Sequence, residues 1–130
     1  MPKVKIVSVL ADNRPGTLAK ICAELARRRN NVLALYAPEG DGAGPLKVLA
    51  ADPDGARWQL KQLKYDCYVE EALSLELDNK PGSFAKACSK LARAGVNLRY
   101  AFVSTPPAAR KAMIVLGVTD MDGAVAALHR

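Results

Sequence analysis

Histidine is almost missing from this chain: His129, beside the C-terminus, is the single one. Without a second imidazole, and with no carboxylate pair in one expected pocket, acid–base and metal-ligand sets are hard to assemble. We therefore expect no enzyme, no catalytic residue, no metal site and no cofactor. Cysteine is scarce too, at three residues with no Cys-x-x-Cys spacing, which excludes a disulfide framework or a zinc ribbon. Cys22 and Cys88 fall at equivalent apolar helix positions and read as core; Cys67, in an expected strand, stays open. Long apolar runs are absent, so no stretch reads as a membrane span. The opening Met-Pro-Lys-Val-Lys is not a signal peptide, because Val4–Ala11 is short and broken by charge. A cytoplasmic protein is expected. A surplus of acid is also lacking: the formal net charge is +6 and the pI about 9.4, which raises nucleic acid as a partner. The basic residues are dispersed, however, apart from Arg27-Arg28-Arg29 at a helix end, where they suit the dipole. Tyr36, Tyr100 and Phe102 lie on expected strands without the segment that RNA-binding sheets use. Nucleic acid is kept only as an alternative.

What the chain does have is one nine-residue stretch written twice. Asp12-Asn13-Arg14-Pro15-Gly16-Thr17-Leu18-Ala19-Lys20 returns 66 residues on as Asp78-Asn79-Lys80-Pro81-Gly82-Ser83-Phe84-Ala85-Lys86. Each copy ends an alternating apolar run and starts a helical pattern. Proline is pre-set for a first helical position, and the glycine after it lets a ligand approach the N–H groups of the first turn. The positive end of a helix dipole favours a carboxylate or phosphate there. The stretch reads as a strand-to-helix turn able to hold a small anionic ligand.

The same offset organises the rest. Lys3–Ala11 alternates as a strand, with Val7, Val9 and Ala11 matched by Leu73, Leu75 and Leu77. A helix is expected over about Pro15–Arg28, with Leu18, Ile21, Cys22 and Leu25 as its core stripe, repeated by Phe84, Ala87, Cys88 and Leu91. The second copy closes its helix with Gly95. The first has Arg29 there, so Arg29 or Asn30 must take the left-handed position, and that helix end should be the less regular. Strands follow at 31–36 and 97–102, then turns at 38–45 and 105–108 that are expected to be the most mobile segments. Strands resume at 46–51 and 111–118. Asp52 and Asp120 are N-caps of second helices. Trp58 is expected at an edge or interface. Tyr65–Glu70 makes one more strand leading straight into the second copy, which has no counterpart to it. Each unit is thus strand–helix–strand–strand–helix, an α+β, ferredoxin-like arrangement with helices on one face of an antiparallel sheet. We place the units at 1–70 and 71–130, packed side by side because units this small are marginal alone. The absent last strand leaves an edge that a second chain could fill, so a homodimer is expected.

At this point the chain resembles a tandem pair of ACT domains. The family signature, Asn-x-Pro-Gly-x-Leu followed by a strand opening with Asn, stands here as Asn13–Leu18 with Asn31-Val32. It stands again as Asn79–Phe84 with Asn97-Leu98. Arg29, where the family usually has glycine, and the missing terminal strand are the departures. The resemblance implies amino-acid binding at the interface between units, as a feedback signal in amino-acid metabolism. Carried over residue by residue, it nominates Asn13, Gly16, Asn31 and Val32 for one site and Asn79, Gly82, Asn97 and Leu98 for the other. An Asn amide both donates and accepts, so it suits an α-ammonium and an α-carboxylate alike. Plainer roles stay open: an Asx turn for Asn13 and Asn79, closure of the preceding helix for Asn31 and Asn97, packing for the glycines. The expected function is a regulatory sensor acting in trans on a metabolic enzyme. The alternatives are a regulatory small subunit such as that of acetolactate synthase, or a nucleic-acid-binding ferredoxin-like protein.

Overall fold

The computed structural model describes residues 3–12, 14–38 and 45–129. Asn13 and most of the expected loop at 38–45 lie outside them. The first repeat forms β1 (Lys3–Leu10), α1 (Thr17–Arg27), β2 (Val32–Tyr36), β3 (Leu46–Ala50) and α2 (Pro53–Gln62). The strand β4 (Asp66–Asp78) then serves both copies, and the second continues as α3 (Ser83–Arg93), β5 (Leu98–Ser104), β6 (Lys111–Val118) and α4 (Met121–Leu128). Packing divides the chain between Glu70 and Glu71, inside β4 rather than at a linker. Lys3 and Val4 group with the second unit.

In the first unit the strands are ordered β2-β3-β1-β4, the split βαβ arrangement. β1 and β2 both pair antiparallel with β3. Val7, Val9, Leu46, Val48 and Ala50 turn one sheet face toward Ile21 and Leu25 of α1 and Ala56 and Leu60 of α2. Cys67 joins this core; burial pushes its thiol pKa up, so it is a packed, protonated side chain. On the opposite face Ser8 stands directly across from Lys47. The Lys47 ammonium donates to Ser8 Oγ at 2.8 Å and to the Glu70 carboxylate at 2.5 Å, with both charged side chains about nine-tenths buried.

The second unit repeats the plan as β4-β6-β5, with Leu73 paired to Leu116 and Leu75 to Ile114 against Leu91 of α3 and Ala124 of α4. Among the described residues nothing follows α4 that matches the leading half of β4. Even irregularities recur: the pairing shifts by one residue between Val32 and Ala34, and again between Leu98 and Tyr100. One pair has been exchanged between the copies. Ala34 faces Leu49 in the first unit, and Tyr100 faces Gly117 at the equivalent place in the second.

The Asp N-caps form as expected: Asp52 accepts from the Gly55 N–H at 3.1 Å and Asp120 from the Gly123 N–H at 3.0 Å. The starts of α1 and α3 differ from expectation. Pro15 and Pro81 stay in the turn, and the N-caps are Gly16 (φ 91°) and Gly82 (φ 92°). A Cβ at either would meet no atom within 4 Å, so the left-handed backbone, not crowding, demands glycine. The helix end at Arg29 also departs from expectation. Asn30 N–H bonds Leu25 C=O and Arg29 N–H bonds Ala26 C=O, both at 2.9 Å. Val96 and Gly95 make the same two bonds at 3.0 Å, so both ends are equally regular Schellman closures. The difference is strain, because Arg29 holds φ 57° where the second copy has glycine at φ 72°. Arg29→Gly should raise stability by about 1 kcal/mol, seen as a higher urea midpoint at unchanged m-value.

Candidate functional site

The residues nominated from sequence separate into two groups in each unit. Asp78 is registered with Lys111 at one end of the second sheet, and Leu98 with Val118 at the other. Asn79 and Gly82 therefore lie at the opposite end of α3 from Asn97 and Leu98. An 11-residue helix puts roughly 16 Å between them. In the first unit Val9 pairs with Leu46 and Val32 with Ala50, which sends Gly16 and the Asn31-Val32 pair to opposite ends as well. No single unit brings its nominated residues together. Asn13 is outside the described residues.

At the Gly82 end, α3 begins without any side-chain cap. Asn79 Nδ2 donates to the Ala109 carbonyl at 2.8 Å and its backbone N–H to that of Arg110 at 2.9 Å, tying the turn to the β5–β6 connection. This leaves the amide oxygen of Asn79 as an acceptor. Asp78 is not ligand-like. The Lys111 ammonium, 2.6 Å away, holds its carboxyl below the usual range. Asp12 is likewise engaged, with Arg14 at 2.6 Å. Two cavities flank the turn, and Lys80 and Ser83 line both. One, of about 150 Å³, adds Asn79, Phe84, Val103 and Thr105. The other is an open groove of about 550 Å³ running along Leu75–Asp78 toward Lys86 and Lys90.

At the other end Asn97 is used locally: its Oδ1 accepts from the Leu98 N–H at 2.9 Å, and its N–H donates to Thr119 Oγ1 at 3.1 Å. The Asn31 backbone carbonyl accepts from the Ala51 N–H at 2.8 Å, and with Val32 the residue lines a cavity of about 410 Å³ that also reaches Cys22, Ala26 and Arg29. Sequence reasoning missed what lies beside it. Asn30 is buried, donating to Asp52 C=O at 2.8 Å and Gln59 Oε1 at 3.1 Å while accepting from the Asp52 N–H at 2.9 Å. Gln59 passes the chain on to Glu24 C=O at 2.8 Å. The signal was available in the repeat, since the second unit has Val96 and Ala127 at these two places. Among the described residues no group of three His, Cys, Asp or Glu side chains could hold a metal ion, and no helix is long and apolar enough to cross a membrane.

The profile of the ACT domain pair family matches residues 2–122. Among solved structures, protein BT0572 from Bacteroides thetaiotaomicron superposes with a TM-score of 0.89 at 26% identity, covering 98% of this chain and 87% of that one. The ligand-free regulatory subunit of aspartate kinase from Thermus thermophilus superposes with a TM-score of 0.66 at 17% identity, covering 99% and 90%. Aspartokinase III of E. coli, in complex with lysine and aspartate, gives 0.60 at 15% identity, covering 98% of this chain but 30% of that one. These last two show a shared fold. No curated protein sequence matches the chain.

Proposed function

Given that the chain belongs to the ACT domain pair family, we propose that it is a regulatory module that binds a small amino acid and acts in trans on a metabolic enzyme. The observation carrying this reading is the glycine-capped turn, built twice with the same left-handed geometry and no side-chain cap. An α-carboxylate is the group such a helix start lacks. At the second turn we assign the Asn79 oxygen, left as an acceptor by the two bonds that Asn79 donates, to the α-ammonium. The cavity of about 150 Å³ beside it has room for a small amino acid, at roughly 30 Å³ per displaced water. The Thermus thermophilus relative in fold is itself a regulatory subunit of a kinase of aspartate, which agrees with a partner enzyme in amino-acid metabolism. The working form we propose is a cytoplasmic homodimer without catalysis of its own.

A thermal-shift screen of the whole protein against the twenty amino acids, followed by calorimetry, tests this. A ligand of the folded state adds about 2.7 kcal/mol at a hundredfold excess over its Kd. The hit should lose at least tenfold in affinity in Asn79→Ala or Asn13→Ala, which also shows which turn binds. No shift with any amino acid would overturn the reading.

A further inference from the structure

The two copies act as controls for one another, and they differ most in chemistry where α1 ends against α2. In the first unit that place carries Arg28, Arg29 and Trp58; the equivalent residues in the second are Ala94, Gly95 and Ala126. The helix end does not need the charged set, because α3 closes with the same two backbone bonds without it. Arg29 is kept there against backbone strain, at φ 57°, in a position where glycine would be relaxed. The Arg28 guanidinium lies over the Trp58 ring, 4.7 Å from its centroid, while the indole stays 51% exposed. A stacked guanidinium keeps its N–H edges for a carboxylate or phosphate. Between these side chains is a cavity of about 420 Å³, lined also by Asn30, Gln59, Gly55 and Asp52, whose carboxylate is held by the Gly55 N–H. That volume lies within the roughly 300–1,000 Å³ range of small-molecule sites.

We propose that Arg28, Arg29 and Trp58 form a binding site for a small planar anion, an aromatic body carrying a phosphate or a carboxylate. The anionic group pairs with the two guanidinium forks, and the flat body packs against the indole edge. Asn30 and Gln59, already bonded to each other, fix part of the lining and leave selectivity to the rest. The site is separate from the glycine-capped turns and does not depend on amino-acid binding there.

Trp58 is the only tryptophan in the chain, so its emission reports this place alone. The test titrates the whole protein with adenosine 5′-monophosphate and, separately, with benzoate. Adenosine and inorganic phosphate serve as dissected halves. A saturable change in Trp58 emission is expected with at least one of the two anions, and which one responds separates the phosphate source from the carboxylate. Each half alone should bind at least tenfold more weakly than the monophosphate, if that is the responder. Arg29→Gly should weaken the responding anion about tenfold or more, the loss of one charge-assisted contact, while melting higher than the parent. That combination separates lost binding from lost folding. Arg28→Ala should weaken it likewise. Silence with both anions, or equal affinity in Arg29→Gly, overturns the proposal.

Discussion

Glu70→Ala should destabilise the protein by about 3–5 kcal/mol, because it removes the carboxylate that neutralises the buried Lys47 ammonium. Lys47 and Glu70 are 9% and 11% exposed, so water reaches neither well enough to replace the partner. Ser8 Oγ, which donates to Glu70 at 2.9 Å, also loses its acceptor. The second copy shows that this charge is optional for the sheet. Val115 stands at the place of Lys47, across from Ser74 as Lys47 is from Ser8. Among the described residues no strand follows α4 to carry an equivalent of Glu70. The double variant Lys47→Met/Glu70→Leu should therefore return to within about 1 kcal/mol of the parent, as replaced buried pairs often do. Urea unfolding of the two single variants and the double variant measures the coupling. Additive losses would show that the pair does not act as a unit.

Gly117→Leu should cost about 3 kcal/mol, at the upper end of ordinary overpacking. A Cβ at Gly117 would fall 2.3 Å from Cε1 of Tyr100, which lies across the backbone there. The ring cannot retreat without leaving the face it covers. The first unit solves the same volume with the sizes reversed, Ala34 against Leu49. Tyr100→Ala together with Gly117→Leu should then recover most of the loss, because the exchange conserves volume across one cross-strand pair. Calorimetric melting of the three variants checks this. A double variant no better than Gly117→Leu alone would mean that Tyr100 matters for something other than filling that space.

Much of this architecture was written in the spacing of the chain. The 66-residue offset, the Asp52 and Asp120 caps and the left-handed close at Gly95 each follow from local chemistry, and they are where the sequence put them. The helix starts came out two residues late, because Pro-Gly admits two readings and only the backbone angle of Gly16 or Gly82 separates them. The sites were less legible. Asn79 and Asn97 look like partners on paper, yet strand direction carries them to opposite ends of α3. Lys47 and Glu70 are 23 residues apart with no periodic cue to join them. Arg28 and Trp58 meet only because α1 and α2 pack together.

β4 has a further consequence for anyone who would take the protein apart. Its thirteen residues run from Asp66 to Asp78 without a break, and the boundary between Glu70 and Glu71 is an ordinary pair of strand residues. A protease needs a segment that can leave the fold and extend into its cleft, and hydrogen-bonded strand offers none. Scission there finds no seam. Expression of either half alone would begin or end in mid-strand, with a cut ladder at its edge.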